Sequence, residues 1–392
     1  MATNLDSITT LDKVIDVLTD YHANGAYEKL KENVTLLDKE SYAVMIRITN
    51  FESNDFKDNL IYVDEHAYNY LKKSKVYASD LIMNKIANPG TVYFMPKLDK
   101  PVSLGMNLFL IRINTEKANP YFIYAYLKKN EHYVKSFASG STTKTITKDD
   151  VRRLQIYCPP IEEQNKIAEI LSTWDKAIET VEKLVANSQQ QKKALMQQLL
   201  TGQKRLLDDN GVKFEDEWEE YPLSQISNII MGTSPKSESY NDFENGLPLI
   251  QGNADIKNRR SNPRIWTSEI TKECQPKDIL MSVRAPVGTI AISNHHACIG
   301  RGIASIKAKK EHSQDFIYHW LLWFEPKWVS FSQGSTFESI NSDDIKSLKI
   351  SVPTIKEQEK IAQVLTLADR EIDLYQQQLD KLKLEKKSLM QQ

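Results

Sequence analysis

Two long stretches of the chain carry apolar residues at alternating intervals of four and three positions. The first seam lies in residues 159–205 and consists of Ile167, Leu171, Trp174, Ile178, Val181, Val185, Ser188, Lys192, Leu195 and Leu199. The second lies in residues 353–392 and consists of Ile361, Leu365, Ala368, Ile372, Tyr375, Leu379, Leu382, Lys386 and Leu389. This is the heptad spacing, which turns one face of a helix toward a partner helix.

Each stretch is long enough for a helix of about 60 Å, at a rise of ~1.5 Å per residue. One compact domain does not cover that length, so we expect the two seams to bury each other in a long antiparallel coiled coil. The alternative interpretation, for each seam taken alone, is a helix that packs only on its own globular domain.

The second stretch is a copy of the first. Residues 137–198 align without a gap on residues 331–392 at a constant shift of 194 positions, and 25 of the 62 aligned residues are identical. A weaker echo upstream relates the Asp-Leu-Ile-Met run at Asp80 to the Asp-Ile-Leu-Met run at Asp278. The chain is therefore a tandem duplication, in which each copy is a globular part followed by a long helix.

The globular parts contain short runs of β-branched and aromatic residues, which predict strands, and amphipathic runs, which predict helices. The predicted strands are Tyr42–Ile48, Thr91–Phe94, Leu108–Ile113, Thr289–Ile292 and Ile303–Ile306, and the predicted helices are Tyr121–Lys129 and Asp315–Phe324. We therefore expect two globular α+β domains, separated by the coiled coil and related by a pseudo-two-fold internal repeat. The expected globular domains are residues 1–158 and 206–352, and the expected helices are residues 159–205 and 353–392.

Composition limits the kinds of function that are open to the chain. The 51 Lys and Arg residues balance the 52 Asp and Glu residues, so any contact with DNA has to come from local clusters of positive charge. The three cysteines are far apart, which argues against a zinc site and a disulfide framework. No signal-peptide pattern and no membrane-spanning apolar run is visible, so we expect a cytoplasmic protein without a metal site.

Local positive charge is concentrated in the second globular domain. A polar, cationic run occupies residues 257–264, and two further arginines stand beside Pro and Gly in predicted loops. The candidate DNA contacts are Lys257, Arg259, Arg260, Arg264, Arg284 and Arg301. The planar fork of arginine can pair with guanine edges or with phosphates. For the run 257–264, a solvated loop is an equally good interpretation.

The first globular domain offers weaker candidates. Its loops carry Lys72, Lys73, Lys75, Lys85 and Lys97, of which Lys85 is the preferred DNA contact. The repeated Gly-Ser-Thr motif adds Ser141, Thr142, Ser335 and Thr336, whose backbone N–H groups can approach a phosphate. The more ordinary interpretation of that motif is a turn that leads into the repeated strand and helix.

The sequence shows no machinery for catalysis. It has no Gly-x-x-x-x-Gly-Lys-Ser/Thr loop for a triphosphate and no Gly-x-Gly-x-x-Gly turn for a dinucleotide. The adjacent pair His295-His296 is a poor metal site, and an exposed turn before Cys298 is the better interpretation. We therefore predict no catalytic residue in this chain.

Several motifs resemble a known family, the specificity subunits of type I restriction-modification enzymes. The run Pro-x-Ile-x-Glu-Gln-x-Lys-Ile-Ala-x-x-Leu, which starts at residues 159 and 353, and the run Lys-Lys-x-Leu-Met-Gln-Gln, at residues 192 and 386, resemble that family's conserved regions. The motifs Met231–Pro235, Leu249–Asp255, Arg284–Thr289 and Ile299–Gly302 resemble one common class of target recognition domain.

This resemblance implies a non-catalytic subunit that recognises double-stranded DNA. Residues 1–158 and 206–352 would be two target recognition domains, each reading one half of a bipartite site from the major groove. The helices would set the separation and dock two methyltransferase subunits, and the complete enzyme would add a motor-nuclease subunit. AdoMet, ATP and Mg²⁺ would be bound by those partners and not by this chain.

The first domain departs from the motifs of the second. Met106-Asn107 stand where the second domain has Arg301-Gly302, which implies a different half-site read by different contacts. Two other functions stay open at this point. One is the specificity chain of a related methylase-nuclease system that cuts near its site, and the other is a coiled-coil scaffold that joins two peptide-binding domains.

Overall fold

The computed structural model describes residues 7–328 and 339–391, which form two compact units. The first unit comprises the described residues up to Glu179 together with those from Lys381 onward. The second unit is Thr180–Asp380. Each unit contains one α+β domain and a part of both long helices, so the α+β class is confirmed. None of the helices in the described ranges is long and apolar enough to cross a membrane.

The globular domain of the first unit is built from two four-stranded sheets and short helices. Its strands are β1 (Ile8–Thr10), β2 (Ile15–Asp20), β3 (Ala43–Ile46), β4 (Ile61–Val63), β5 (Lys75–Val76), β6 (Leu81–Asn84), β7 (Val92–Phe94), β8 (Val102–Leu104), β9 (Leu108–Ile113) and β10 (Gln155–Tyr157). Its helices are α1 (Tyr27–Asn33), α2 (Ile48–Glu52), α3 (Glu65–Tyr70), α4 (Pro120–Lys129), α5 (Glu131–Ser136) and α6 (Lys148–Arg153). The sheets have the strand orders β2-β9-β6-β7 and β4-β3-β8-β5, and β1 pairs with β10.

The second unit repeats this plan with larger sheets. Its strands are β11 (Glu219–Pro222), β12 (Ser227–Met231), β13 (Tyr240–Asn241), β14 (Leu247–Ile250), β15 (Ile256–Lys257), β16 (Arg260–Ser261), β17 (Ile265–Thr267), β18 (Glu273–Cys274), β19 (Ile279–Ser282), β20 (Ile290–Ile292), β21 (Ala297–Ile299), β22 (Ile303–Ala308) and β23 (Lys349–Val352). Its short helices are α8 (Leu223–Ile226), α9 (Gln314–Phe324) and α10 (Ser342–Ser347). The sheets have the orders β12-β22-β19-β20-β16-β15 and β13-β17-β14-β21-β18, and β11 pairs with β23.

Short continuous apolar runs become the central strands because both faces of these strands are buried. In β6, Leu81 and Met83 point into the cluster beneath α4, whereas Ile82 points into the cluster between the two sheets. In β19, Ile279 and Met281 likewise pack toward α9, and Leu280 packs on the opposite side. Since side chains alternate across a strand, a strand covered on both faces is apolar along most of its length. The polar residue of each of these strands, Asn84 in β6 and Ser282 in β19, is its last.

The predicted strands and helices are confirmed to within a few residues. The strand predicted at Leu108–Ile113 is β9, and the helices predicted at Tyr121–Lys129 and Asp315–Phe324 are α4 and α9. The strand predicted at Tyr42–Ile48 is shorter than expected. It ends at Ile46, because the backbone N–H of Arg47 donates to Oδ1 of Asn50 at 2.8 Å and the chain turns into α2.

The two long helices are α7 (Ile161–Leu199) and α11 (Ile355–Gln391). In the second unit, the C-terminal residues of α7 pack with the N-terminal residues of α11, and Lys192 forms an ion pair with Asp369. In the first unit, Lys386 forms an ion pair with Asp175. The two ion pairs are copies of each other at the 194-residue shift. The antiparallel pairing of the helices is therefore present within each unit.

The side chains of the two seams lie on the covered faces of these helices. Leu171, Val181, Val185, Ser188 and Leu199 are buried in α7, and Ile361, Leu365 and Leu379 are buried in α11. Ile167, Trp174, Ile178, Ala368, Ile372, Tyr375 and Leu382 are half-buried, as are Lys192, Leu195 and Lys386. Leu389, near the end of the described chain, is 36% exposed.

A buried glutamine attaches the first turn of each long helix to its own globular domain. Gln164 is 1% exposed; its Nε2 donates to the Pro159 carbonyl at 2.7 Å, and its Oε1 accepts from the backbone N–H of Asn119 at 2.9 Å. Gln358 is also 1% exposed and makes the same two bonds in the second unit. Each amide group thus joins its helix to the turn that opens α4 or α9.

The second unit also contains a buried ion pair that follows α7. Gly202, with a φ of +70°, lies just beyond the end of the helix, and Arg205 then reaches back to Glu357 in the first turn of α11. Both bonds of this bidentate pair are 2.6 Å long, and the Glu357 side chain is fully buried. The equivalent residue of the first copy, Glu163, is exposed.

Candidate nucleic-acid interface

A surface groove in the second unit brings together the four sequence motifs of that domain. Its volume is about 580 Å³. Its walls are Ser234, Pro235, Ser237, Tyr240, Gln251, Gly252, Asn253, Ser282, Arg284, Ala285, Arg301 and Gly302. Tyr240 lies in β13 and Ser282 ends β19, and the other residues come from the loops that follow β12, β14, β19 and β21. Motifs that are far apart in sequence therefore converge at this groove.

Glycines allow these loops to approach one another backbone to backbone. A Cβ atom at Gly232 would collide with the carbonyl oxygens of Ile299 and Gly300, and one at Gly302 would collide with the carbonyl oxygen of Gln251. The approach is fixed by short hydrogen bonds, such as the one from the Gly300 N–H to the Ile250 carbonyl at 2.8 Å. The glycines of these motifs are therefore required by close packing of the loops rather than by flexibility.

The groove is positively charged. Arg284 and Arg301 are both exposed in its wall, and none of the described residues that line it is a carboxylate. The backbone N–H of Arg301 donates to Oγ of Ser234 at 3.2 Å, which fixes the loop and leaves the guanidinium toward solvent. Arginine forks beside hydroxyl and amide groups suit an anion or the polar edge of a base.

One side chain in the groove is held in a defined orientation. Nε2 of Gln251 donates to the Tyr240 hydroxyl at 2.8 Å, and that hydroxyl donates to the Pro235 carbonyl at 3.1 Å. The backbone N–H of Gln251 donates to Asp255 at 2.8 Å, and Arg264 donates to the same carboxylate at 2.9 Å. The Gln251 amide therefore keeps one N–H and its oxygen for another molecule.

The cationic run 257–264 lies outside the groove walls. It forms the β15–β16 hairpin, and its turn residues Asn258 and Arg259 both have positive φ angles. Arg259 donates to Glu325 at 2.6 Å and to the Ile290 carbonyl at 3.1 Å, and Arg264 is paired with Asp255. Lys257 and Arg260 are exposed, and Arg260 forms no ion pair with a described residue. Two of the four candidates are thus engaged within the fold.

In the first unit, Lys85 is engaged as well. It pairs with Asp20 at 3.1 Å, and Asp20 also pairs with Lys148 at 3.1 Å. Burial disfavours the charged form of Asp20, but the hydrogen bonds and charges of the two lysines outweigh it, so the pKa of Asp20 is lowered. The cluster keeps a net positive charge.

The Gly-Ser-Thr motif of the first copy forms an exposed turn, and the second lies outside the described residues. Ser141 and Thr142 are exposed within a loop that is closed by the backbone bonds between Ser139 and Thr145. Thr145 also bridges to Ile86, so this loop lies beside the one that carries Lys85. Ser335 and Thr336 belong to the segment that the structure does not describe.

No group of His, Cys, Asp and Glu side chains within residues 7–328 and 339–391 is arranged to hold a metal ion. Nδ1 of His295 lies 2.7 Å from the Ser261 hydroxyl, and His296 pairs with Glu273 at 2.5 Å. Cys274 and Cys298 are buried, and burial raises the pKa of the Cys274 thiol. These groups therefore have structural partners instead of forming a reactive cluster.

Gln251, Tyr240 and Ser234 were not among the site residues predicted from the sequence. Gln251 and Ser234 lie within quoted motifs, but neither is charged, and a search for cations passes over them. Tyr240 is outside every motif and enters the groove only because β13 pairs with β17 next to β14. A search for polar residues directly after buried strands would have found Gln251.

Comparison with known proteins identifies similar sequences over most of the chain. The family described as the type I restriction modification DNA specificity domain matches residues 19–187 and again residues 215–384. A Methanocaldococcus jannaschii protein, named as a specificity subunit of the type I restriction enzyme MjaX, is 32% identical over 368 residues, covering 90% of this chain and 86% of that protein. The specificity subunit of the Escherichia coli type I restriction enzyme EcoBI is 22% identical, covering 73% of this chain and 66% of that protein.

Solved structures have a similar fold. The S subunit of a type I restriction-modification system from M. genitalium aligns over 98% of this chain and 94% of its own, with a TM-score of 0.65 at 17% identity. A chain from a structural study of complex assembly and conformational transition in a type I restriction-modification system aligns over 98% of this chain and 96% of its own, with a TM-score of 0.57 at 24% identity. At these identities the likeness concerns the fold.

Proposed function

This chain belongs to the family of type I restriction-modification DNA specificity subunits, and on that premise we propose that it reads a bipartite DNA site, one half with each globular domain. Specificity subunits are the DNA-recognition components of these systems and not their catalytic subunits. The observation that carries the proposal is the groove of the second unit, where Arg284 and Arg301 stand beside the oriented amide of Gln251.

The groove has the chemistry that sequence-specific DNA binding requires. Arginine and glutamine are the residues that pair in a bidentate manner with guanine and adenine in the major groove. The net charge of the chain is only −1, so the chain as a whole does not attract DNA. The attraction for the phosphates then comes from the groove, whose wall contains arginines and no carboxylate among the described residues. A scaffold with peptide-binding domains would have no use for this arrangement.

The long helices have two roles in this proposal. They set the distance between the half-sites, and they dock two methyltransferase subunits; a motor-nuclease subunit completes the enzyme in the cytoplasm. AdoMet, ATP and Mg²⁺ are bound by those partners. The same chain serves equally in a methylase-nuclease system that cuts near its site, because that difference lies in the partner subunits.

A domain exchange tests the independence of the two readers. Residues 1–158 are replaced by the corresponding domain of another family member, and the chimera is expressed with the methyltransferase subunit. Mapping of methylated adenines across the host genome then gives both half-sites and their gap. We expect one half-site to change while the other half and the gap persist. A change in both halves would show that the domains do not read independently.

Charge removal in the groove tests the site itself. Arg284→Ala and Arg301→Ala should each weaken binding through the second half-site by roughly 5- to 150-fold, the range for a bidentate base contact of ~1–3 kcal/mol. Lys310→Ala removes the same charge at the opposite end of β22 and serves as the matched control, with no expected loss. Equal losses for the control and the groove variants would refute the groove as the reader.

A helix insertion tests the spacing role. Four residues added to each long helix lengthen it by ~6 Å, against ~3.4 Å per base pair along DNA. The gap between the methylated half-sites should widen by about one or two base pairs. An unchanged gap in an active complex would show that the helices do not set the distance between the half-sites.

A further inference from the structure

The end of one strand places a side chain at the same point of both globular domains. In the second unit, β14 ends at Ile250, whose carbonyl accepts from the Gly300 N–H at 2.8 Å. In the first unit, β3 ends at Ile46, whose carbonyl accepts from the Gly105 N–H at 2.9 Å. The next residue is Gln251 in the second unit and Arg47 in the first.

The two side chains also start in the same direction. A Cβ atom built on Gly300 would lie 3.3 Å from Cγ of Gln251, and one built on Gly105 would lie 3.6 Å from Cγ of Arg47. Each side chain therefore runs over the glycine that the two domains share. A Cβ atom at Gly105 would also lie 2.4 Å from the carbonyl oxygen of Ile46, so this position requires glycine.

The backbone at both positions is fixed by a buried polar side chain. The Gln251 N–H donates to Asp255, which is 3% exposed, and the Arg47 N–H donates to Asn50, which is also 3% exposed; both bonds are 2.8 Å long. The same scaffold thus presents an amide in one domain and a guanidinium in the other. No described carboxylate pairs with Arg47, which is exposed and whose Nη2 donates only to the Asn59 carbonyl at 3.2 Å.

The surrounding loops correspond as well. In the second unit, the Val283 N–H donates to the Gly302 carbonyl, and Arg284 bridges to Ser339. In the first unit, the Lys85 N–H donates to the Asn107 carbonyl, and Ile86 bridges to Thr145. The loop positions that carry Arg284 and Arg301 in the second domain are therefore Ile86 and Met106 in the first. Of Arg47, Ile86 and Met106, only Arg47 is charged, and the neighbouring Lys85 is paired with Asp20.

We propose that Arg47 and Gln251 are the specificity-determining side chains at equivalent positions of the two domains, Arg47 selecting a guanine and Gln251 an adenine. The assignment rests on the proposed function and follows from the donor and acceptor patterns. Two parallel N–H groups of Arg47 match O6 and N7 of guanine. The Gln251 amide, with its oxygen as acceptor and one N–H free, matches N6 and N7 of adenine. Tyr240 is a positioning residue, because its hydroxyl fixes which end of the amide is the donor.

The test uses the complete complex with its methyltransferase subunit and a panel of duplexes that carry each base at each position of both half-sites. Arg47→Gln should change one guanine preference to adenine in the half-site of the first domain. Gln251→Arg should do the reverse in the half-site of the second. Each variant should lose roughly 5- to 150-fold in discrimination at one position and leave the other half-site unchanged.

Arg47→Lys separates base recognition from phosphate binding. It keeps the charge and loses the planar fork, so we expect the guanine preference to weaken while the salt dependence of affinity stays the same. Tyr240→Phe should lower discrimination at the adenine position alone, since the ring is retained and only the hydroxyl anchor is lost. A merely structural role for Tyr240 would lower affinity equally for all bases.

Two results would overturn the assignment. One is a uniform loss of affinity in Arg47→Gln across all bases, with a shallower salt dependence, which is the behaviour of a phosphate contact. The other is a first half-site without a guanine. Both leave the proposed function intact if the wild-type complex still methylates a bipartite site. Failure of the wild-type complex to recognise any bipartite site would instead refute the proposed function.

Discussion

The buried ion pair between Arg205 and Glu357 provides a quantitative test of what holds the second unit together. Arg205→Met removes the guanidinium and leaves the fully buried Glu357 carboxylate without its partner. Removing one member of a buried pair costs about 3–5 kcal/mol. The Arg205 side chain keeps 17% of its surface exposed, so water compensates in part and we expect a loss near the lower limit, about 3 kcal/mol.

Urea unfolding followed by tryptophan fluorescence measures this loss. Five of the six tryptophans lie within Thr180–Asp380, and only Trp174 belongs to the first unit. The fluorescence transition therefore reports the second unit. With a urea dependence of about 3 kcal/mol per M, the upper part of the usual range, the midpoint should fall by about 1 M.

Two further variants test whether the unpaired Glu357 charge causes the loss of stability. Replacing both members by Met removes the unpaired charge, and the double variant should return to within about 1 kcal/mol of the wild type. Glu359→Gln changes an exposed glutamate of the same helix in the second unit and should leave the midpoint unchanged. An unchanged midpoint in Arg205→Met, or a double variant as unstable as the single one, would show that burial of the Glu357 charge does not govern stability.

Three other perturbations have defined outcomes. Burial, with a contribution from Lys192, lowers the pKa of His319 to about 3. Because the unfolded chain takes up the proton first, the free energy of unfolding should decrease as the pH falls below 6.5, by roughly 2 kcal/mol at pH 5. Urea titrations at each pH should show that His319→Gln abolishes this decrease. Gly288→Ala places a Cβ atom 2.5 Å from the Trp328 ring and should cost about 2 kcal/mol more than Gly211→Ala, which has a similar φ and no neighbour within 4 Å, as measured by thermal unfolding. Lys192→Asp sets two carboxylates together at Asp369 and should destabilise by about 1 kcal/mol, and a second change, Asp369→Lys, should recover most of the loss in a double-mutant cycle.

The long helices could be predicted because the information lies in the local sequence. The seam from Ile167 to Leu199 repeats with a period close to that of the helix itself, and a second copy at the 194-residue shift excludes chance. The central strands could be predicted for a similar reason. The run from Leu108 to Ile113 is short and apolar apart from Arg112, whose guanidinium pairs with Asp80.

The groove could be predicted only in part, since the availability of a charged side chain depends on residues that are distant in sequence. Lys85 is paired with Asp20, 65 positions away, and Arg259 with Glu325, 66 positions away. The sequence around Lys85 and Arg259 does not indicate these partners. Arg284 and Arg301 lack such partners among the described residues and remain in the wall of the groove.

The glutamine at the start of each long helix has a consequence for how new specificities can arise. Because Gln164 and Gln358 fix the first turn to the adjoining domain, neither helix is free to rotate about its own axis. An inserted residue then rotates everything beyond it by about 100°, whereas insertions of four, seven or eleven residues return the apolar face to within about 40° of its former direction. Under the proposed function, the gap between the half-sites would therefore change during evolution only in a few discrete steps. The bases that each domain reads could change one substitution at a time.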